Sequence, residues 1–135
     1  MKRIFIPTDF SEHADKAIEY AFSHYGNGNG VDFIIAHFFP PPTDSNFLIS
    51  IDDLVRKNYE QTAIDQVQKV MDSQDLQLQQ VMVIARPGPL RQNLIGLANE
   101  LGATMIIYPE SGSAKLQLPP SMIRKSPIPV MTVIT

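Results

Sequence analysis

The sequence predicts a single α/β domain, a three-layer α/β/α sandwich around a five-stranded parallel sheet. Three observations carry that expectation. Short apolar runs alternate with amphipathic stretches along the whole chain, the order that a parallel sheet with right-handed crossovers requires. The run Phe33-Ile34-Ile35-Ala36 is apolar without a break, as in a strand whose two faces are both covered. The chain has 135 residues and no repeat, low-complexity tract or linker that would divide it, so residues 1–135 read as one domain.

The elements follow in order. Residues 3–8 form a short apolar strand that Asp9 stops. Ser11 is placed to cap a helix, and Glu12 and Asp15 put negative charge near its first turn. Ala14, Ala17, Ile18, Ala21, Phe22 and Tyr25 then recur at helical spacing and define one apolar face. Gly26-Asn27-Gly28-Asn29-Gly30 ends that helix in a turn. Residues 31–38 are the second strand, stopped by Pro40-Pro41-Pro42, and residues 43–50 have no clear period and read as a loop. Asp52 or Asp53 opens a second helix whose buried stripe is Val55, Tyr59, Ala63, Val67, Val70 and Met71. Residues 77–85 are a third strand, punctuated by Pro87-Gly88-Pro89. A third helix starts there, since proline is well tolerated in a first turn. Its face is Leu90, Leu94, Leu97, Ala98 and Leu101, and Gly102 ends it. Residues 105–108 are a fourth strand, 109–120 a loop, 121–125 a short helix and 129–134 a fifth strand.

Composition narrows the function classes. Hydrophobic residues make up 44% of the chain and charged residues 19%, which argues for a packed core and against disorder. The net charge of −3 gives no general attraction to nucleic acid or to an anionic membrane, so neither is expected as a partner. There is no cysteine, which excludes disulfides, thiolate nucleophiles and cysteine metal ligands. After the basic Lys2 and Arg3 only three apolar residues, Ile4-Phe5-Ile6, precede Pro7, too few for the core of a signal peptide. A cytoplasmic protein is expected.

Catalytic motifs are lacking. Gly26-x-Gly28-x-Gly30 follows a helix and precedes a strand, the reverse of a phosphate cradle, and reads as a turn. His13, His24 and His37 are the only histidines; none is paired in a metal-ligand context, and no metal is expected. No serine stands in a Gly-x-Ser-x-Gly elbow. Arg86 reads as a surface arginine, with an anion at the third helix's start as the alternative. In 110–115, Ser111, Ser113, Glu110 and Lys115 read as a solvated loop, with contact to a small polar ligand or phosphorylation as the alternative. The expectation is therefore a non-enzymatic protein.

Several local sequences resemble the universal stress protein family. Ile4-Phe5-Ile6-Pro7-Thr8-Asp9-Phe10-Ser11-Glu12-His13 is similar to that family's first strand and helix start. His37-Phe38 resembles the His-Val pair that often ends its second strand, and Gly88 stands like the glycine before its third helix. Ala103-Thr104-Met105-Ile106-Ile107-Tyr108 resembles its fourth strand, and Ser126-Pro127-Ile128-Pro129-Val130-Met131-Thr132-Val133 its closing strand. The match covers essentially the whole chain, with the two ends as its specific parts.

The resemblance implies a Rossmann-like fold, a role in stress adaptation and frequent dimers. Some members bind ATP or a related nucleotide through Gly-x-x-Gly, nine residues, then Gly-Ser or Gly-Thr, after the fourth strand. Glycines let backbone amides approach phosphate there. This sequence departs from that motif. Pro109, which has no amide hydrogen, holds the first glycine position, and Gly112 matches the second. Anchoring on the closing strand puts Leu116-Gln117 at the final pair, with only Ser113, Ala114 and Lys115 between. Keeping the nine-residue spacing puts Met122-Ile123 there instead. The expectation is thus no ATP through the usual loop and no established cofactor. One alternative is a nucleotide or small-metabolite sensor using Asp9 and a remodelled loop after Tyr108; another is a weak ATPase or phosphate-transfer enzyme.

In nucleotide-binding members the aspartate corresponding to Asp9 helps hold the base. With the family's strand order, Asp9 faces the 109–113 loop across the topological switch point; a cap or turn before the first helix is the other role open to it. The ligand-contact candidates are Thr8, Asp9, Phe38, Tyr108, Gly112 and Ser113. A homodimer is expected through the last strand, where Val130, Met131, Thr132 and Val133 are uncharged and strongly β-prone; burial inside the sheet is the alternative for that strand. Protein partners are expected to carry the stress function.

Overall fold

The computed structural model describes residues 2–26, 30–40, 49–74, 81–109 and 118–133. In chain order the elements are β1 (Lys2–Pro7), α1 (Glu12–Tyr25), β2 (Val31–Phe39), α2 (Ile49–Gln74), β3 (Val81–Pro87), α3 (Leu90–Glu100), β4 (Met105–Pro109), α4 (Pro120–Lys125) and β5 (Val130–Val133). The strands form one sheet in the order β3-β2-β1-β4-β5, and every neighbouring pair is parallel.

That order divides the helices between two faces. The first two crossovers step from β1 to β2 to β3, and right-handed connection keeps α1 and α2 on one side. The chain then crosses back over the sheet to β4, which places α3 and α4 on the other. Two apolar cores result. Ala17, Ile18 and Phe22 of α1 and Val67 and Val70 of α2 pack on Ile4, Ile6, Phe33 and Ile35. Leu94 and Ala98 of α3 pack on Phe5, Ile34, Ala36 and Ile106, with Met122 and Ile123 of α4 at the margin. Alternate residues of β1 and β2 thus serve opposite cores. This is why Phe33-Ile34-Ile35-Ala36 is buried throughout.

The helix starts follow their local chemistry. Ser11 is extended, and its Oγ accepts from the Ala14 amide at 3.2 Å. α3 and α4 begin after Pro89 and Pro119, which hold extended backbone and offer no side-chain cap.

Several boundaries differ from expectation: β1 spans Lys2–Pro7 instead of 3–8, α4 starts one residue earlier at Pro120, and β5 one residue later at Val130. α2 starts at Ile49 instead of Asp52 or Asp53. β2 continues one residue further, to Phe39. β3 runs through Arg86 to Pro87, which stands in register with Phe39. Proline is compatible with β3 because that strand lies at the sheet's edge. β4 likewise takes in Pro109, in register with Val133 on β5. The expected start of β3 at residues 77–80, the 43–48 loop and residue 134 lie outside the described residues.

Gly88 is the backbone device of the β3–α3 turn. Its φ is +116°, and a Cβ there would come 2.7 Å from Asn93 Nδ2. Its amide donates to the Phe39 carbonyl at 2.8 Å, joining the ends of β2 and β3. Asn93 Nδ2 donates to the Pro89 carbonyl at 2.7 Å, so a side chain at position 88 would displace the group that orders the first turn of α3.

Candidate functional site

β1 and β4 are hydrogen-bonded neighbours, with Ile4 level with Met105 and Phe5 level with Ile106. The chain leaves β1 towards the α1/α2 face and leaves β4 towards the α3/α4 face. A crevice opens beyond two parallel strands whose connections diverge in this way. Continuing the register puts Thr8 level with Pro109, so Asp9 stands at the mouth of that crevice.

The turn between β1 and α1 is held by polar contacts on every side. Thr8 is 2% exposed, and its amide, carbonyl and hydroxyl are all hydrogen-bonded. Its amide donates to the Ala36 carbonyl at 2.8 Å. Its carbonyl faces His37 Nδ1 at 2.8 Å; a carbonyl only accepts, so Nδ1 carries the proton. Its hydroxyl accepts from the Phe10 amide at 3.0 Å and donates to Gln66 Oε1 at 2.6 Å. Gln66 Nε2 in turn donates to Asp15 Oδ1 on α1 at 2.6 Å. Asp9 Oδ1 accepts from the Ser11 amide at 3.0 Å, the Asx-turn pattern. The turn role weighed for Asp9 is thus present, with the carboxylate at the crevice's edge.

Phe10 completes the turn with φ at +67°, the only non-glycine residue with positive φ among the described residues. An aromatic row extends from it. The Phe10 ring lies 4.2 Å from His37, His37 lies 4.8 Å from Tyr59, and Tyr59 stacks on Phe39 at 4.9 Å. The row ties the first turn to the end of β2 and to α2.

The expected contact residues are spread over this geometry. Thr8 is buried and Asp9 half-buried beside it. Phe38 and Tyr108 belong to the α3/α4 core, with Tyr108 4% exposed and Phe38 packed against that cluster. They stand near the C-terminal ends of β2 and β4. Gly112 and Ser113 lie outside the described residues. Val130, Met131, Thr132 and Val133 form β5, with Thr132 exposed and Val133 buried. The last strand is an edge strand and not an interior one, so one of its sides pairs with no strand among the described residues. Arg86 is exposed at the end of β3. Among the described residues no three His, Asp or Glu side chains gather to hold a metal, and no helix is long and apolar enough to cross a membrane.

Sequence reasoning passed over Gln66, Tyr59 and Phe10 as site-forming residues. Gln66 carried a signal. It interrupts the face that Ala63, Val67 and Val70 bury, and a glutamine inside such a stripe needs a polar partner.

The molecule is therefore a doubly wound α/β domain with a switch-point crevice bordered by an aspartate turn. The universal stress protein family model matches residues 1–133, and the chain belongs to that family. No curated protein matches it in sequence. Solved structures share the fold. A universal stress protein in complex with cAMP superposes with a TM-score of 0.65 at 18% identity, over 98% of this chain and 95% of that one. A universal stress family protein from Burkholderia pseudomallei gives 0.64 at 17% identity, over 98% and 95%. The Archaeoglobus fulgidus universal stress protein in complex with dAMP gives 0.63 at 16% identity, over 98% and 97%.

Proposed function

We propose that this chain is a non-enzymatic universal stress protein that does not hold ATP through a glycine-rich loop, and that it acts as a homodimer on protein partners in stress adaptation. One observation carries the first part. Pro109 is the buried last residue of β4, at the position where nucleotide-binding relatives have the first glycine of their phosphate loop. A proline there donates no amide hydrogen to a phosphate, and its ring blocks close approach. The edge position of β5 supports the dimer, because an open strand edge pairs readily and a two-fold axis closes it.

A thermal-shift titration with ATP, ADP and AMP, with and without Mg²⁺, tests this. A ligand at about 100 times its dissociation constant adds about 2.7 kcal/mol of stability. No shift at millimolar nucleotide is expected. A clear shift that Asp9→Ala abolishes would overturn the proposal, and phosphate release alongside it would identify an ATPase.

A second function is favoured by Asp9 itself, a carboxylate fixed at the crevice mouth. It is a sensor of a small nucleotide or metabolite. Two of the solved relatives are complexes with cAMP and dAMP. Each of those ligands has a single phosphate, which asks less of a glycine loop than a triphosphate does. A shift with AMP or cAMP and none with ATP would select this sensor.

A further inference from the structure

We propose that Gln66 of α2 is the positioning residue of the crevice, setting the Thr8 hydroxyl and through it the turn that presents Asp9. This rests on Asp9 being the ligand-facing group of the second function above. The polarity of the contacts fixes the argument. The Phe10 amide can only donate, so the Thr8 hydroxyl must accept from it. That hydroxyl has one hydrogen, and it points to Gln66 Oε1. The other half of the Gln66 amide is then a pair of donors, and it faces Asp15, whose Oδ1 accepts. One chain of hydrogen bonds runs Phe10, Thr8, Gln66, Asp15, with a single consistent direction.

Two features make Gln66 more than a filler between helices. It is 9% exposed and, with Thr8, one of the two buried polar side chains among the described residues. In such surroundings a wrong orientation leaves groups without partners, so the chain is held firmly. The residue it controls is also the strained one. Phe10 keeps a left-handed backbone, and its amide is fixed only while the Thr8 hydroxyl keeps its direction. Tyr59, two helical turns before Gln66 on the same face, lies parallel to the Phe10 ring within 9° at 6.4 Å. α2 therefore holds the Asp9 turn at the Thr8 hydroxyl and at the Phe10 ring.

Amide hydrogen exchange followed by NMR tests this without any ligand. The quantity is the exchange rate of Phe10 relative to Ile6, which reports the turn against the core. Gln66→Leu should raise that ratio at least tenfold. Gln66→Glu should raise it as well, because it turns a carboxylate towards Asp15. Adding Asp15→Asn to Gln66→Glu restores a donor facing an acceptor and should return the ratio to within about threefold of wild type. A ratio unchanged in Gln66→Leu, or no recovery in the double variant, overturns the proposal. The double variant keeps the test decisive if Gln66→Leu fails to fold. AMP titration of the wild type and Asp9→Ala is read separately. A wild type that ignores AMP removes Asp9 as a ligand contact, and the exchange ratios still decide the role of Gln66.

Discussion

Phe10 holds a conformation that costs most side chains about 1–2 kcal/mol, yet it also supplies the first ring of the aromatic row. The two effects separate by substitution. Phe10→Ala keeps the backbone strain and loses the ring contacts; Phe10→Gly loses the ring contacts and relieves the strain. Urea unfolding should therefore show Phe10→Gly more stable than Phe10→Ala by about 1 kcal/mol, with both below wild type. Equal stabilities would mean that the turn relaxes once the ring is gone. Thr8 and Asp9 stood out from the sequence at this scale, because Pro7-Thr8-Asp9-Phe10-Ser11 resembles a family motif. Their partners did not. The bond to Gln66 depends on a residue 58 positions after Thr8, and the positive φ of Phe10 leaves no mark in the sequence.

The strands and the first three helices were legible in order from their hydrophobic patterns, because each buries a face set by its own repeat; α4, with no buried residue, is marked only by its position between β4 and β5. α1 is the clearest case. Ser11, the acids of the first turn and the Ala14-Ala17-Ile18-Ala21-Phe22 stripe all agree, and the structure buries that stripe. Ser11→Ala should lower stability by about 1 kcal/mol through loss of the cap, measured as a reduced urea midpoint at unchanged slope. A change within error would mean that the Asx contact from Asp9 already orders the turn. The ends of β3 and β4 were harder. Pro87 and Pro109 read locally as stops, and each is the last residue of its strand. Proline forbids an amide donation, not the extended backbone itself. Only the pairing with Phe39 and Val133 shows that the strands continue.

For the whole molecule, the question is what meets the edges of the sheet. β3 and β5 are its two outer strands. β3 ends in Arg86 and Pro87, a charge and a missing donor that discourage pairing. β5 is Val130-Met131-Thr132-Val133, with neither. This asymmetry favours β5 over β3 as the edge for the dimer proposed above. Sedimentation at micromolar concentration should give a dimer for the wild type and a monomer for Val130→Lys. A monomer for both would remove the dimer and leave the protein to act through other partners. The nucleotide titration belongs at this scale too. Its expected silence rests on the proposal that a β4 ending in Pro109 does not start a glycine phosphate loop.

Local pattern by itself determined the class of the domain, the order of its elements, the buried faces of its helices and the departure from the family's glycine motif. Each of these is written in residues that are neighbours along the chain or repeat at the period of one element. The tertiary structure alone decided the sheet order, the edge position of β5, the aromatic row from Phe10 to Phe39 and the path from Thr8 through Gln66 to Asp15. These join side chains that folding brings together from distant segments. The reason is physical: a periodic pattern records that a face is buried, and only the packed fold determines against which partner.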